Sequence, residues 1–323
     1  MKFAIVTHAE FRKTDGGLIC LINLARNLHA RGHDSKLYVP PEVHIGYEKN
    51  DIFPYYIKKE EMEDERVAIY IDCTLGNPLE AKKVVRYISY GSHWYPNYEP
   101  NEITYYHAPF CKNNVAKQRL ISMYWPPGME NKGLPRIRER CYIIKKGWRN
   151  PIVQKMFNET PTSEIKGLLL EGYNHEQLIE IFNTTKYFYC YDPACFLGIM
   201  ALMCGCIVIQ YPVLGYTREE WMHAVSFSSL NGVAYGHENL AHAEATIDKA
   251  PADCLRFKEE CNATIDKFVN DLESGNYTQE PCYPFNDSPY SLQHLDKTSP
   301  KMVMLYKLLM KPVTKENFFG KLI

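Results

Sequence analysis

Apolar positions along the chain fall into short unbroken runs, separated by stretches where they recur every three or four residues. Phe3 to Thr7 is the first such run and predicts a strand. A polar loop, 11–17, follows it. Leu18, Leu21, Ile22, Leu24, Ala25 and Leu28 then share one broad face at helical spacing. Gly32 is placed to end that helix, and Lys36 to Val39 reads as a second strand stopped by Pro40 and Pro41. Strand, helix and strand in so short a span make a βαβ unit, which implies a parallel sheet.

The alternation continues. Val67 to Asp72 and Ile103 to His107 read as strands, and Pro78 to Tyr87 as a helix opened by proline in its first turn. Residues 91–101 and 125–140 are rich in Pro, Gly, Asn and charge and read as loops, the second a hinge between two lobes. A second series starts with strands at Cys141 to Ile144 and Leu168 to Leu170. A helix capped by Asn174 follows, with Gln177 three positions on, as in a capping box. Then come a strand at Tyr187 to Tyr191, a helix opened by Asp192-Pro193 and running through Met203, and a strand at Ile207 to Tyr211. Residues 238–272 read as helical and largely solvated, and Pro300 to Leu309 as a short amphipathic helix. The fold class that follows is α/β, with two doubly wound, Rossmann-like lobes.

Length supports two lobes, since 323 residues exceed the roughly 100–200 usual for one domain. A formal net charge of -1 offers no global attraction to nucleic acid or to an anionic membrane, and no nucleic-acid partner is expected. The chain has 11 cysteines but no Cys-x-x-Cys pair. Cys204 and Cys206 sit close together in an apolar run without a second pair at ligand spacing, which favours buried reduced thiols over zinc. Met1-Lys2 leads straight into the first strand, and no apolar run approaches the ~20 residues of a membrane span. A soluble, cytoplasmic protein is the expectation.

Gly16-Gly17, Leu24-Ala25-Arg26-Asn27-Leu28 and Arg31-Gly32-His33, in that order, resemble the opening of many GT-B glycosyltransferases. Further on, the series Phe182-Asn183, Lys186-Tyr187-Phe188, Tyr191-Asp192, Ala201 to Cys206 and Gly215 to Trp221 resembles a branch acting in surface-polysaccharide synthesis, within the glycosyltransferase family 4-like group. The tract Cys141 to Gly147, with a basic pair before its glycine, fits the same branch, as do Gly76 to Leu79 and Asn231 to Gly236. The likeness covers roughly residues 1–270. It implies an acceptor-side lobe at 1–135, a donor-side lobe at 136–285, and a tail at 286–323 that could cross back to the first lobe. It also implies a nucleotide-diphosphate sugar as donor and a glycan or glycoconjugate as acceptor. Retaining members carry two glutamates flanking the donor; here Asp192 stands at the first place and Met200 at the second, which removes the contact to the ribose hydroxyls. A catalytically silent module that binds a nucleotide or glycan is the alternative. A dinucleotide-dependent oxidoreductase fits poorly, because the loop from His8 to Gly17 lacks Gly-x-Gly-x-x-Gly spacing.

Departure of a nucleoside diphosphate places growing negative charge on phosphate. No Asp-x-Asp triplet occurs, so neither metal nor cofactor is expected, and lysine, arginine and helix N-termini would carry that charge. Lys145, Lys146 and Arg149 lie just past a predicted strand and read as a diphosphate clamp or a solvated basic turn, with Lys146 preferred by alternation. Asp192 before Pro193 reads as a helix cap, a ligand contact, or both. Tyr191 is core or a stacking platform. Gly16 and Gly17 allow positive φ and close backbone approach after strand one, and Gly172 ends the strand before Asn174. Thr217 and Glu220 either cap a helix or reach the donor. His8 and His107, at two strand ends, join Asp192 as catalytic candidates. Whether the reaction retains or inverts, and hence whether a protein base is needed, stays open.

Overall fold

Two all-parallel sheets organise the chain, each closed over a helical layer. The computed structural model describes residues 1–13, 15–72, 74, 76–89, 102–108, 118–145, 147, 153–155, 167–213, 216–225, 229–237 and 239–277. The first sheet uses β1 (Lys2–Val6), β2 (Asp34–Tyr38), β3 (Arg66–Ile71), β4 (Lys83–Ile88), β5 (Ile103–Tyr106) and β6 (Gln118–Arg119), in the order β2-β1-β3-β4-β5-β6. The second uses β7 (Arg138–Ile143), β8 (Leu168–Leu169), β9 (Thr185–Cys190), β10 (Ile207–Gln210) and β11 (Val233–Tyr235), in the order β11-β10-β9-β7-β8. Every pairing is parallel. Counted from its own first strand, the second sheet repeats the order of the first. Each therefore has a switch point beside its opening strand, between β1 and β3 and between β7 and β9. Crevices that bind ligands form at the carboxyl ends of such strands.

Strands buried on both faces account for the unbroken apolar runs. In β1, Phe3 and Ile5 join the core beneath α1 (Gly16–Ala30), while Ala4 and Val6 join a second cluster with Ala68, Tyr70 and Val84 on the other face. Leu18, Leu21, Leu24 and Leu28 supply the helix's side of that first core. The second sheet packs under α2 (His175–Thr184) and α3 (Leu197–Met203), through Leu178, Phe182, Ile199 and Leu202. Two more helices, α4 (Arg218–Val225) and α5 (Leu240–Thr246), precede the long α6 (Ala250–Ser274).

Helix α6 is where the sequence reading needs correction. Instead of a largely solvated segment, it carries a continuous buried stripe shared by both cores. Ala250, Cys254, Phe257 and Cys261 enter the second core; Ile265, Phe268, Val269 and Leu272 enter the first. The many charges of α6 occupy its other faces, and these masked the stripe's period. Its far half is tied down by Arg31 to Asp266 at 2.6 Å and by Lys83 Nζ donating to the Leu272 carbonyl at 3.1 Å. Helix α6 thus packs into both cores. The tail at 286–323, with Pro300 to Leu309 inside it, lies outside the described residues, as does 91–101.

Two other elements differ. The helix expected at Pro78 to Tyr87 is a turn followed by strand β4, because Val84, Val85, Tyr87 and Ile88 fill a central strand that is apolar on both faces. Within it, Arg86 is buried against Glu102 at 2.5 Å and donates to the Thr74 and Gly76 carbonyls, pinning the loop after β3. The helix expected to open at Asp192-Pro193 begins only at Leu197. The stretch 120–137 is extended and well anchored: Asn23 Nδ2 donates to the Met123 carbonyl at 2.8 Å, and Arg136 donates to the Phe182 carbonyl in the last turn of α2 at 2.6 Å and to the Cys204 carbonyl just past α3 at 2.9 Å. Among the described residues no helix is long and apolar enough to cross a membrane.

Candidate functional site

A cavity of about 560 Å³ opens where the two switch points face each other. The first lobe lines it with Lys13, Asp15, Gly16, Gly17, Ser89 and His107. The second contributes Lys145, Glu171, Gly172, His175, Asp192, Cys195 and Trp221, and Met123 and Tyr124 close it from the connecting stretch. Of the residues singled out in the sequence, Gly16, Gly17, His107, Lys145, Gly172 and Asp192 are brought together here.

On the first lobe the lip is the start of α1. Asp15 is its N-cap, its carboxylate accepting from the Leu18 amide at 3.0 Å. Gly16 and Gly17 are the first two helical residues, and neither has the positive φ expected for them. Nor does packing require them: a Cβ on Gly16 would meet nothing within 4 Å, and one on Gly17 nothing closer than 3.6 Å. The pair leaves the backbone at the positive end of a helix uncovered toward the cavity, where an anion is favoured. Lys13 stands beside it, held by Asp51 at 2.7 Å.

On the second lobe, the tract after β7 turns sharply. Lys145 lies at the cavity with φ of 37°, a left-handed conformation costly for a residue with a Cβ. It makes no ion pair among the described residues. Gly147 lets the tract close up, since a Cβ there would sit 2.4 Å from the Tyr191 carbonyl oxygen. This close approach sets Lys145 and Asp192 on neighbouring strand ends. Lys146 and Arg149 lie outside the described residues.

Asp192 is buried and lines the cavity, but it caps no helix. One carboxylate oxygen accepts from the Ala194 amide at 3.1 Å, while its own carbonyl accepts from Gln210 Nε2 at 3.1 Å and Cys190 Sγ at 3.2 Å. That local turn, made by the aspartate's short side chain, delays α3 by a turn. Tyr191 is not among the lining residues; it packs against Tyr211 with ring centroids 5.2 Å apart, and burial pushes its phenol up to about 12. Met200 is wholly buried in the second core and does not line the cavity. Thr217 and Glu220 also lie off the cavity wall. The Thr217 amide donates to Glu220 at 2.8 Å and the Glu220 amide to Thr217 Oγ1 at 3.3 Å, a reciprocal cap opening α4. The next residue, Trp221, reaches the cavity instead, its indole N–H on the Pro193 carbonyl at 2.8 Å.

The histidines separate. His107 faces the cavity with Nδ1 2.6 Å from the Tyr87 hydroxyl. His8 does not line it; burial pushes its imidazole below the ordinary 6.5, opposed by Asp15, and its buried Nδ1 has no hydrogen-bond partner among the described residues. His175 was missed in the sequence because the first residue of a capped helix carries no chemical signature. It packs on Tyr124 at 5.5 Å, and burial pushes its pKa down. Glu176 and Asp51 oppose that shift, while Lys13 and Lys145 add to it. Lys13 and Lys145, one from each lobe, line the same cavity as His175. Cys190 and Cys195 also line the cavity.

No family model matches the chain, and no curated protein matches it in sequence. Among solved structures, T4 phage β-glucosyltransferase is similar with a TM-score of 0.48 at 9% identity, over 84% of this chain and 99% of that one. An α-glucosyltransferase in complex with UDP-glucose and DNA containing an abasic site gives 0.44 at 10% identity, over 82% and 95%. Spinosyn rhamnosyltransferase complexed with spinosyn aglycone gives 0.42 at 13% identity, over 84% and 100%. The exclusion of nucleic acid as a partner is corrected by this comparison, because the α-glucosyltransferase is seen with UDP and 13-mer DNA. Charge summed over a whole chain does not decide what one cleft accepts.

Proposed function

We propose that the protein is a glycosyltransferase, moving a sugar from a nucleoside-diphosphate sugar to a hydroxyl-bearing acceptor in the cleft between its lobes. The observation that carries this reading is the position of the cavity. It sits at the switch points of both sheets, with Lys13 and Lys145 on opposite lips beside the uncovered start of α1. A diphosphate there meets two ammonium groups and a helix N-terminus in a partly enclosed space, where such charges act strongly. As the bond from the anomeric carbon to phosphate oxygen breaks, the charge left on the diphosphate is held by these groups, and no divalent metal is required. The resemblance read from the sequence assigns the donor to the second lobe and a glycan or glycoconjugate acceptor to the first, within surface-polysaccharide synthesis.

Burial of Met200 bears on the alternative, a silent module that binds without transfer. A wholly buried methionine does not supply the ribose contact that the resemblance implies at this place. The test is thermal melting of the full chain with a panel of nucleoside diphosphates, with and without a chelator, followed by donor hydrolysis. A selective upward shift that survives chelation, is lost in Lys145→Ala, and accompanies nucleotide release supports transfer. Binding without release of nucleotide leaves the module, and no shift with any nucleotide overturns transfer and leaves a glycan-binding module.

A further inference from the structure

We infer that His175 is a catalytic residue, the base that takes the proton of the attacking hydroxyl, and that sugar transfer therefore inverts the anomeric centre. The inference deepens the glycosyl-transfer reading and rests on it. His175 is the first residue of α2, and its backbone is fixed by the reciprocal bonds between Asn174 and Gln177 at 2.9 and 3.0 Å. Side chains lean toward the N-terminus of their helix, so the first one reaches past the helix end. Here that end borders the cavity, which His175 lines. Only 9% of the residue is exposed, and its ring packs on Tyr124 with centroids 5.5 Å apart. Neither ring nitrogen has a hydrogen-bond partner among the described residues, although buried polar atoms ordinarily find one. The other candidates are engaged or lie off the wall. His107 has Nδ1 2.6 Å from the Tyr87 hydroxyl, His8 does not line the cavity, and one Asp192 oxygen is held by the Ala194 amide at 3.1 Å.

A base must be unprotonated when it acts. Burial pushes the imidazole below its ordinary 6.5, and Lys13 from the first lobe and Lys145 from the turn after β7 push the same way. So does the positive end of α2. Glu176 on the same helix and Asp51 from the first lobe oppose them. Tyr124, packed on the ring, has its own phenol pushed up by burial and stays protonated. At neutral pH the ring therefore carries one N–H and one bare nitrogen. In the transfer step the acceptor's O–H bond breaks, its proton goes to that nitrogen, and its oxygen bonds to the anomeric carbon. The bond from this carbon to phosphate oxygen breaks on the opposite face, and its electron pair leaves with the diphosphate. The imidazolium returns its proton to water once the products depart.

The test is hydrolysis of α-linked UDP-, GDP- and dTDP-sugars by the full chain, with water as the acceptor. Proton NMR of the sugar first released is expected to show the β anomer. The value of kcat/KM is expected to fall as pH drops below 6.5, because a protonated ring cannot act as base, and to level off above it. His175→Gln should lose about a hundredfold or more in kcat, and with it the acid limb, while its melting shift with the matching nucleoside diphosphate is kept. An α product overturns the inference and leaves transfer standing, as does a folded His175→Gln with the wild-type rate and pH profile. Should that variant not fold, the anomer and the acid limb of the wild type decide. Nucleotide binding with no hydrolysis by the wild type removes transfer and this inference together, so the two failures are told apart.

Discussion

Lys145 holds a backbone conformation that its own side chain disfavours. At φ 37° it pays a left-handed penalty of about 1–2 kcal/mol that glycine would not. Strain of this kind collects where a structure holds a side chain for a ligand. Lys145→Gly is therefore expected to raise stability by about 1 kcal/mol in chemical denaturation. Nucleotide affinity should fall about tenfold or more, the scale of a charged hydrogen bond, by calorimetry. A variant that gains stability and keeps affinity would remove Lys145 from the site. The buried histidines set a second residue-scale expectation. His8 and His175 are both pushed below the ordinary 6.5 by burial. Between that value and their lower folded values, the unfolded chain binds more protons, so stability falls as pH drops below 6.5 and is insensitive to these groups above it. Melting profiles of the wild type and His175→Gln across that range check this, and the variant's slope should be shallower.

At the scale of elements, the start of α1 separates what a helix needs from what a ligand needs. Alanine suits a helix better than glycine by up to about 1 kcal/mol, and Gly16 has open space for a Cβ. Gly16→Ala is accordingly expected to be neutral or stabilising on melting while weakening nucleotide binding; unaltered binding would make the glycine incidental. Local chemistry was legible where it is truly local. The Asn174–Gln177 box appears as read, with the Gln177 amide donating to Asn174 at 2.9 Å. It was not legible in β4, where a run apolar on both faces has no period to distinguish strand from helix. Nor was it at Asp192, where the side chain closes a turn on Ala194 before any helix begins.

On the scale of the whole molecule, α6 makes one cooperative body out of two sheets. A single stripe serves both cores, so damage at one end should be felt at the other. Phe268 is wholly buried in the first core, and Phe268→Ala is expected to cost about 3–5 kcal/mol. Melting should remain a single transition, with hydrogen exchange rising in β9 and β10 as well as in β1 and β3. A two-step melt that spares the second lobe would show that the lobes are energetically separate.

By itself the sequence determined the alternation of strand and helix and the two-lobed α/β class, and it pointed to Gly16, Gly17 and Gly172, which line the cavity. These follow from short-range rules: spacing on a helix face, turn residues at strand ends, and the bias of ligand sites to those ends. Tertiary structure alone decided the rest. It paired His107 with Tyr87, brought Lys13 across from Lys145 around His175, and took Met200, Tyr191 and Thr217 out of the wall. The reason is that strand order and inter-lobe packing are set by contacts distant along the chain, and which side of a strand end faces the cleft is settled only when both sheets and α6 are in place.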